Sequence, residues 1–161
     1  MNQSERRQYL IRSLLDENPA YRDWGVPQGV DDQKCLLRGL MNVRPAQRSD
    51  AEFLEIQDEY LREATAQKGI TDANSLSPVQ PGICLWQGDI TTLRCDAIVN
   101  ATNSGMTACY VPNYRCIDNA IHTFAGVQLR LACEEIMQRQ GRPSRPGAPK
   151  LRPRSICRAG M

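Results

Sequence analysis

The sequence is poor in the residues that most often mark a function. It has a single histidine, two phenylalanines and two tryptophans among 161 residues. A metal site or acid–base pair built mainly from histidine is therefore excluded. No hydrophobic run approaches the length of a membrane span, and the opening Met1-Asn2-Gln3-Ser4-Glu5-Arg6-Arg7 has no apolar signal-peptide core. A cytoplasmic location is expected. There is also no acidic residue between positions 142 and 158, where Arg142, Arg145, Lys150, Arg152, Arg154 and Arg158 fall. Without these six the chain carries 14 basic and 18 acidic residues, so its net charge of +2 belongs to one segment. A nucleic-acid binder would spread such charge over a folded face. Neither nucleic acid nor membrane is expected as a partner.

What is present divides the chain into three textures. Residues 1–78 read as a helical N-terminal extension. Ser4 to Leu15 places Tyr9, Leu10, Ile11, Leu14 and Leu15 on one side, and Asp31-Asp32 can cap a second helix carrying Cys35, Leu36, Leu37, Leu40 and Met41. Ser49-Asp50-Ala51-Glu52 has the form of a capping box, Phe53, Ile56, Tyr60 and Ala64 follow at helical spacing, and Gly69 suits a C-terminal cap. A polar linker from Ser75 to Gly82 leads to residues 79–140. There Ile83–Gln87 and Ala97–Asn100 read as short buried parallel strands, and one long helix is predicted from Ile117 to about Gln140, ended by Gly141. Residues 141–161 carry four prolines and six cations, the composition of a disordered basic tail. The order strand, crossover, strand, loop, helix is α/β.

The seven cysteines are odd in number and scattered, which favours free thiols or a metal site over a disulfide framework. Cys35, Cys84, Cys95 and Cys133 read as buried or half-buried thiols in apolar elements. Two polar loops follow the predicted strands. In Gln87-Gly88-Asp89-Ile90-Thr91, Asp89 is either a helix cap or a nucleotide-binding carboxylate at a sheet's carboxyl end. Asn100-Ala101-Thr102-Asn103-Ser104-Gly105 is either a turn or a wall of the same crevice.

Together with Asp96-Ala97-Ile98-Val99 and Ile117-Asp118-Asn119-Ala120-Ile121-His122-Thr123-Phe124-Ala125-Gly126, these segments stand in macrodomain order. The stretch from Cys109 to Cys116 resembles the zinc-dependent branch, whose pattern runs G-C-F-x-P-x-H-x-C-I-D-N-x-I-H. The extension, with Leu36-Leu37-Arg38-Gly39-Leu40-Met41-Asn42-Val43-Arg44-Pro45, is also similar to that branch. The likeness runs from about residue 8 to 140. It implies an incomplete three-layer α/β/α macrodomain behind an α-helical N-terminal extension, with protein-ADP-ribose hydrolysis as the activity and ADP-ribose or an ADP-ribosylated protein as the partner. By the same resemblance Asp89 binds adenine and the Ile90 backbone holds the diphosphate. Asn103 orients the distal ribose, Asp118 stands close to the scissile bond, and Cys109 and Cys116 are two of three protein ligands to zinc.

The sequence departs from that pattern in places. Tyr114 falls where the family has its zinc histidine, and a neutral phenol (ordinary pKa about 10) is a poor substitute for imidazole. Metal-dependent turnover is therefore expected to be impaired, with a non-catalytic ADP-ribose-binding module as the alternative. Ala108 replaces a glycine, a strain if the loop needs positive φ. His122 reads as a packing residue on its helix. Permitted codons for Ser144 to Arg158, read one base earlier, spell Glu-Pro-Thr-Gly-Arg-Ala-Lys-Ile-Thr-Pro-Ala-Phe-Asn-Leu-Pro, close to the family's continuation at that point. The tail is accordingly expected to be frameshifted and the macro fold truncated after its first half, giving a poorly folded product.

Overall fold

A computed structural model describes residues 1–145, 147, 149 and 150. The expected disordered tail lies largely outside them. At its start, Gly141 caps the last helix with φ of 66°, and Ser144 donates its backbone N–H to the Ser104 carbonyl at 2.9 Å.

Three helices open the chain: α1 (Gln3–Glu17), α2 (Val30–Val43) and α3 (Ala51–Gln67). The first is held by a capping box in which Asn2 accepts from the Glu5 N–H and the Glu5 carboxylate accepts from the Asn2 N–H. The predicted capping box of α3 shifts by one residue. Asp50, not Ser49, is the cap, and its carboxylate accepts from the Phe53 N–H at 2.6 Å. The expected aspartate cap of α2 is absent too. Gly29 occupies the cap position, and Asp31 and Asp32 lie inside the first turn, where their charge still complements the helix dipole. Gly69, with φ of 85°, follows α3 as predicted.

The apolar faces of these helices make one core of Leu10, Ile11, Leu14, Leu15, Leu37, Leu40, Met41, Phe53, Ile56, Tyr60 and Leu61. Arg44, 5% exposed, ties the end of α1 to the α2–α3 connection by clamping both oxygens of Glu17 at 2.6 and 2.8 Å.

The second half differs from its sequence reading. β1 (Thr71–Asp72) pairs in parallel with β4 (Leu93–Arg94), and β2 (Pro78–Gln80) pairs antiparallel with β3 (Ile83–Cys84). Ile83–Gln87 is thus not a buried parallel strand. Only its first two residues pair, in a hairpin that turns at Gly82, and Ile83 and Leu85 are exposed. Ala97–Asn100 joins neither sheet, and Val99 is 87% exposed. Apolar sequence favours a buried strand only where another strand supplies the ladder and a helix covers the face. Among the described residues Ile83–Cys84 has one short partner strand and no covering helix, and Ala97–Asn100 has no partner strand.

The predicted long helix is two: α4 (Ile117–Phe124) and α5 (Val127–Gln140). Gly126 sits between them at φ of 82°, a conformation that ends a right-handed helix. A second small core joins the pair, formed by Ile121, Ala125, Leu129 and Cys133 with Ile90 and Ile98 against it. The architecture is therefore mixed α and β, with helices dominant.

Two buried amides weld the halves together. Gln57, fully buried on α3, accepts from the Val127 N–H and donates to Gln128, fixing the start of α5. Asn42, 1% exposed on α2, donates to Thr123 on α4 and accepts from the Asn113 N–H. Of the four cysteines expected to be buried or half-buried, Cys133 is buried and Cys95 half-buried, but Cys35 and Cys84 are exposed.

Candidate functional site

The first turn of α4 is where the polar loops converge. Cys116 caps the helix, its sulfur accepting from the Asn119 N–H at 3.4 Å. Two residues into the helix, Asp118 is 6% exposed, yet both its oxygens are occupied: Asn100 Nδ2 donates to one at 2.7 Å and Thr102 Oγ1 to the other at 2.8 Å. These are the loop residues that follow Ala97–Val99, so the Asn100–Gly105 loop does reach the helix although no strand leads into it. His122, buried one turn later, places Nε2 at 3.6 Å from Asp118.

The cysteines are brought together as well. Cys109 and Cys116 lie with their sulfurs 3.9 Å apart, both free thiols. Asn119 grips the loop between them: its side-chain nitrogen faces Cys109 Sγ at 3.6 Å and donates to the Val111 carbonyl at 3.2 Å. Its oxygen accepts from Arg38 of α2 at 3.0 Å, and Arg38 also reaches the Tyr114 carbonyl. Arg130 of α5 lies over the Tyr110 ring, 4.4 Å from its centroid, and donates to the Arg44 carbonyl. Ala108 does adopt positive φ, 66°, with the neighbouring Met106 and Asn113 at 61° and 54°. At Met106 and Ala108 the loop is held in a backbone that glycine or asparagine would accept more easily.

A tetrahedral zinc with bonds of about 2.3 Å sets two sulfurs about 3.8 Å apart. The separation of Cys109 and Cys116 fits that geometry. The third donor does not follow: the Tyr114 side chain is 53% exposed, and no group of three or more His, Cys, Asp or Glu side chains gathers for a metal among the described residues.

Asn103 and Asp89 have separate tasks in this structure. The Asn103 carbonyl group of the side chain accepts from the N–H groups of Gly105 and Met106, and its amide donates to the Ala108 carbonyl at 3.2 Å. It shapes the loop that leads to Cys109. Asp89 caps the short 3-10 turn Ile90–Thr92, accepting from the Thr91 N–H and hydroxyl, and pairs with Lys68 at 2.9 Å. Partial burial alone would raise its carboxyl, but the bonds from Thr91 and Lys68 outweigh that and hold it below the ordinary carboxylate value. Ile90 is half-buried against the α4–α5 core. Among the described residues no hydrogen bond or ion pair joins Asp89 to Asn103 or Asp118. Trp86 folds over Gly88, where an added Cβ would meet the indole at 2.3 Å.

Sequence reasoning missed Arg38, Asn119 and Lys68. Asn119 had a local signal, since the third residue after a cap is where a helix N–H meets the capping atom. Arg38 and Lys68 reach the site from other helices and left none.

No family profile matches the chain. Individual proteins do. A protein named "Protein-ADP-ribose hydrolase" from Treponema medium is 55% identical over 157 residues, which covers 95% of this chain and 60% of that protein. Another of the same name from Staphylococcus aureus (strain MRSA252) is 45% identical over 147 residues, covering 91% of this chain and 55% of the relative. Likeness of this extent makes these proteins homologues of the chain. The chain spans little more than half of their length.

Proposed function

We propose that this chain carries part of an ADP-ribose-binding macrodomain of the protein-ADP-ribose hydrolase type, acting on ADP-ribosylated protein in the cytoplasm. The observation that carries the reading is the convergence on α4: the Asn100–Gly105 loop, Asp118 and the two cysteines meet within its first turn. Support comes equally from the 55% identity to the Treponema medium protein.

In this reading Asp89 takes the adenine amino group, exchanging Lys68 for it, and the Ile90 backbone meets the diphosphate. Asn103 orients the distal ribose. Asp118, buried with Asn100 and Thr102 donating to it, is a fixed acceptor for a substrate hydroxyl near the scissile bond. Cys109 and Cys116 would hold zinc, which when bound supplies a Lewis acid for a substrate oxygen. Asn119 and Arg38 keep the two sulfurs in place for it.

A second reading is binding without hydrolysis, favoured by one observation. Tyr114 turns its side chain to solvent, so the pair of thiols has no third donor from that position. Calorimetric titration with ADP-ribose, zinc analysis and an assay of ADP-ribose release from a modified protein separate these readings. Saturable binding that is lost in Asp89→Ala supports the site. Release of ADP-ribose selects hydrolysis, and binding without release selects the module. No binding at millimolar ADP-ribose would overturn both.

A further inference from the structure

Away from α4's first turn, the helical half holds a partly open cavity of about 420 Å³, lined from α1, α2, α3 and the end of α4. That is within the usual size range of small-molecule sites. Leu37, Leu61 and Phe124 supply apolar wall. Four cationic side chains also line it, Arg7, Lys34, Arg38 and Lys68, and no carboxylate does.

Their charges are unequally answered. Lys34 and Lys68 are paired with Asp31 and Asp89. Arg7 is only 4% exposed, and its hydrogen-bond partners Gln33 and Ser4 are neutral. Arg38 donates to a carbonyl and an amide, and its Nε is buried without a partner. Gln3 Oε1, also at the cavity, is a buried acceptor without a partner. Among the described residues neither arginine has an ion pair. The buried Arg7 guanidinium is costly without an anion and is tolerated where an anion completes it, and the half-buried Arg38 adds a second cation beside it.

We propose that this cavity is a binding site for a small organic anion, a carboxylate or phosphate carried on an apolar, ring-sized body. The head group lies between Arg7 and Arg38, and the body lies against Leu37, Leu61 and Phe124. Arg38 and Lys68 reach both this cavity and the site proposed above, but Asp89, Asn103 and Asp118 do not line the cavity.

The test is calorimetry on the full 161-residue chain with three probes sharing one ring system: 1-naphthoate, 1-naphthyl phosphate and the neutral 1-naphthalenemethanol. Both anions should bind at least about ten-fold more tightly than the alcohol. Ala64→Phe, which fills the cavity from α3 without touching a charge, should abolish binding while the circular-dichroism spectrum stays unchanged. Lys34→Glu, at the exposed rim, should weaken the anions about three-fold or more and leave the alcohol alone. A preference between the two anions identifies the head group. Equal binding of the alcohol, binding that survives Ala64→Phe, or displacement of the anions by ADP-ribose would each overturn the proposal.

Discussion

Arg38 on α2 donates to the side-chain oxygen of Asn119 on α4 at 3.0 Å, and that contact decides which way the asparagine amide points. With its oxygen turned to the guanidinium, its nitrogen must face Cys109 and the Val111 carbonyl. The helical extension thereby sets the geometry of the thiol pair from 81 residues away.

Replacing Asn119 by alanine should cost about 1–3 kcal/mol, because it leaves buried partners unsatisfied. Urea unfolding measures the loss. Arg38→Met should cost less overall, yet free the loop, so iodoacetamide should label Cys109 several-fold faster than in the parent. Unchanged labelling would mean that the loop holds itself.

Asp118 is a buried carboxylate whose two oxygens are both spoken for. Asp118→Asn turns one acceptor into a donor facing Asn100 or Thr102, and stability should fall by about 1–3 kcal/mol. Asp118→Ala should loosen the Asn100–Gly105 loop as well, seen as faster amide exchange from Asn100 to Gly105.

Gln57→Ala should cost about 1–3 kcal/mol, since the Val127 N–H at the start of α5 loses its acceptor in a fully buried place. Leu10→Ala, at the centre of the three-helix core, should cost about 2–5 kcal/mol. Chemical denaturation ranks the two. A Gln57→Ala loss under half a kilocalorie per mole would mean that water replaces the amide.

The acid limb of stability should separate two aspartates. Asp89 has its carboxyl held low, so its contribution is complete above the ordinary carboxylate range (about 4) and fades as pH falls through its lowered value. Asp89→Asn should therefore weaken the fold at pH 7 and make little difference at pH 2. Asp58 is the reverse. Burial raises its carboxyl more than Gln57, Gln128 and Arg62 lower it, so its charged form is disfavoured at neutral pH. Asp58→Asn should stabilise at pH 7, and the gain should vanish below the ordinary range. Urea midpoints at the two pH values check both signs.

Under the proposed function, Tyr114→His supplies the missing imidazole. Zinc affinity should rise by about 100-fold or more, read by competition with a chromophoric chelator. No change would place residue 114 outside the metal's reach.

How much of this was legible in the sequence follows from what each element depends on. The first three helices are written in local terms, apolar residues at helical spacing between caps, and they were readable to within a residue or two. The break at Gly126 was visible as a glycine, but the apolar pattern runs on through it from Ile121 to Leu131, and only the packing of Val127 against Gln57 shows why the chain turns there. Ile83–Gln87 and Ala97–Asn100 look like buried strands because of their composition. Burial of a strand is decided by distant neighbours, and Val99 has none in the described structure. Of the site, Cys109, Cys116 and Asp118 could be picked out by motif, whereas the Arg38–Asn119 contact depends on how α2 meets α4.

Leu85 and Val99, exposed at 83% and 87%, lie beside and within the segments read from the sequence as strand and loop. A protease with a taste for apolar residues, such as thermolysin, needs an accessible, extended run of backbone to cut. It would sever the chain at these positions while the α1–α3 bundle stayed whole. Among the described residues these exposed apolar stretches are thus the first to be nicked.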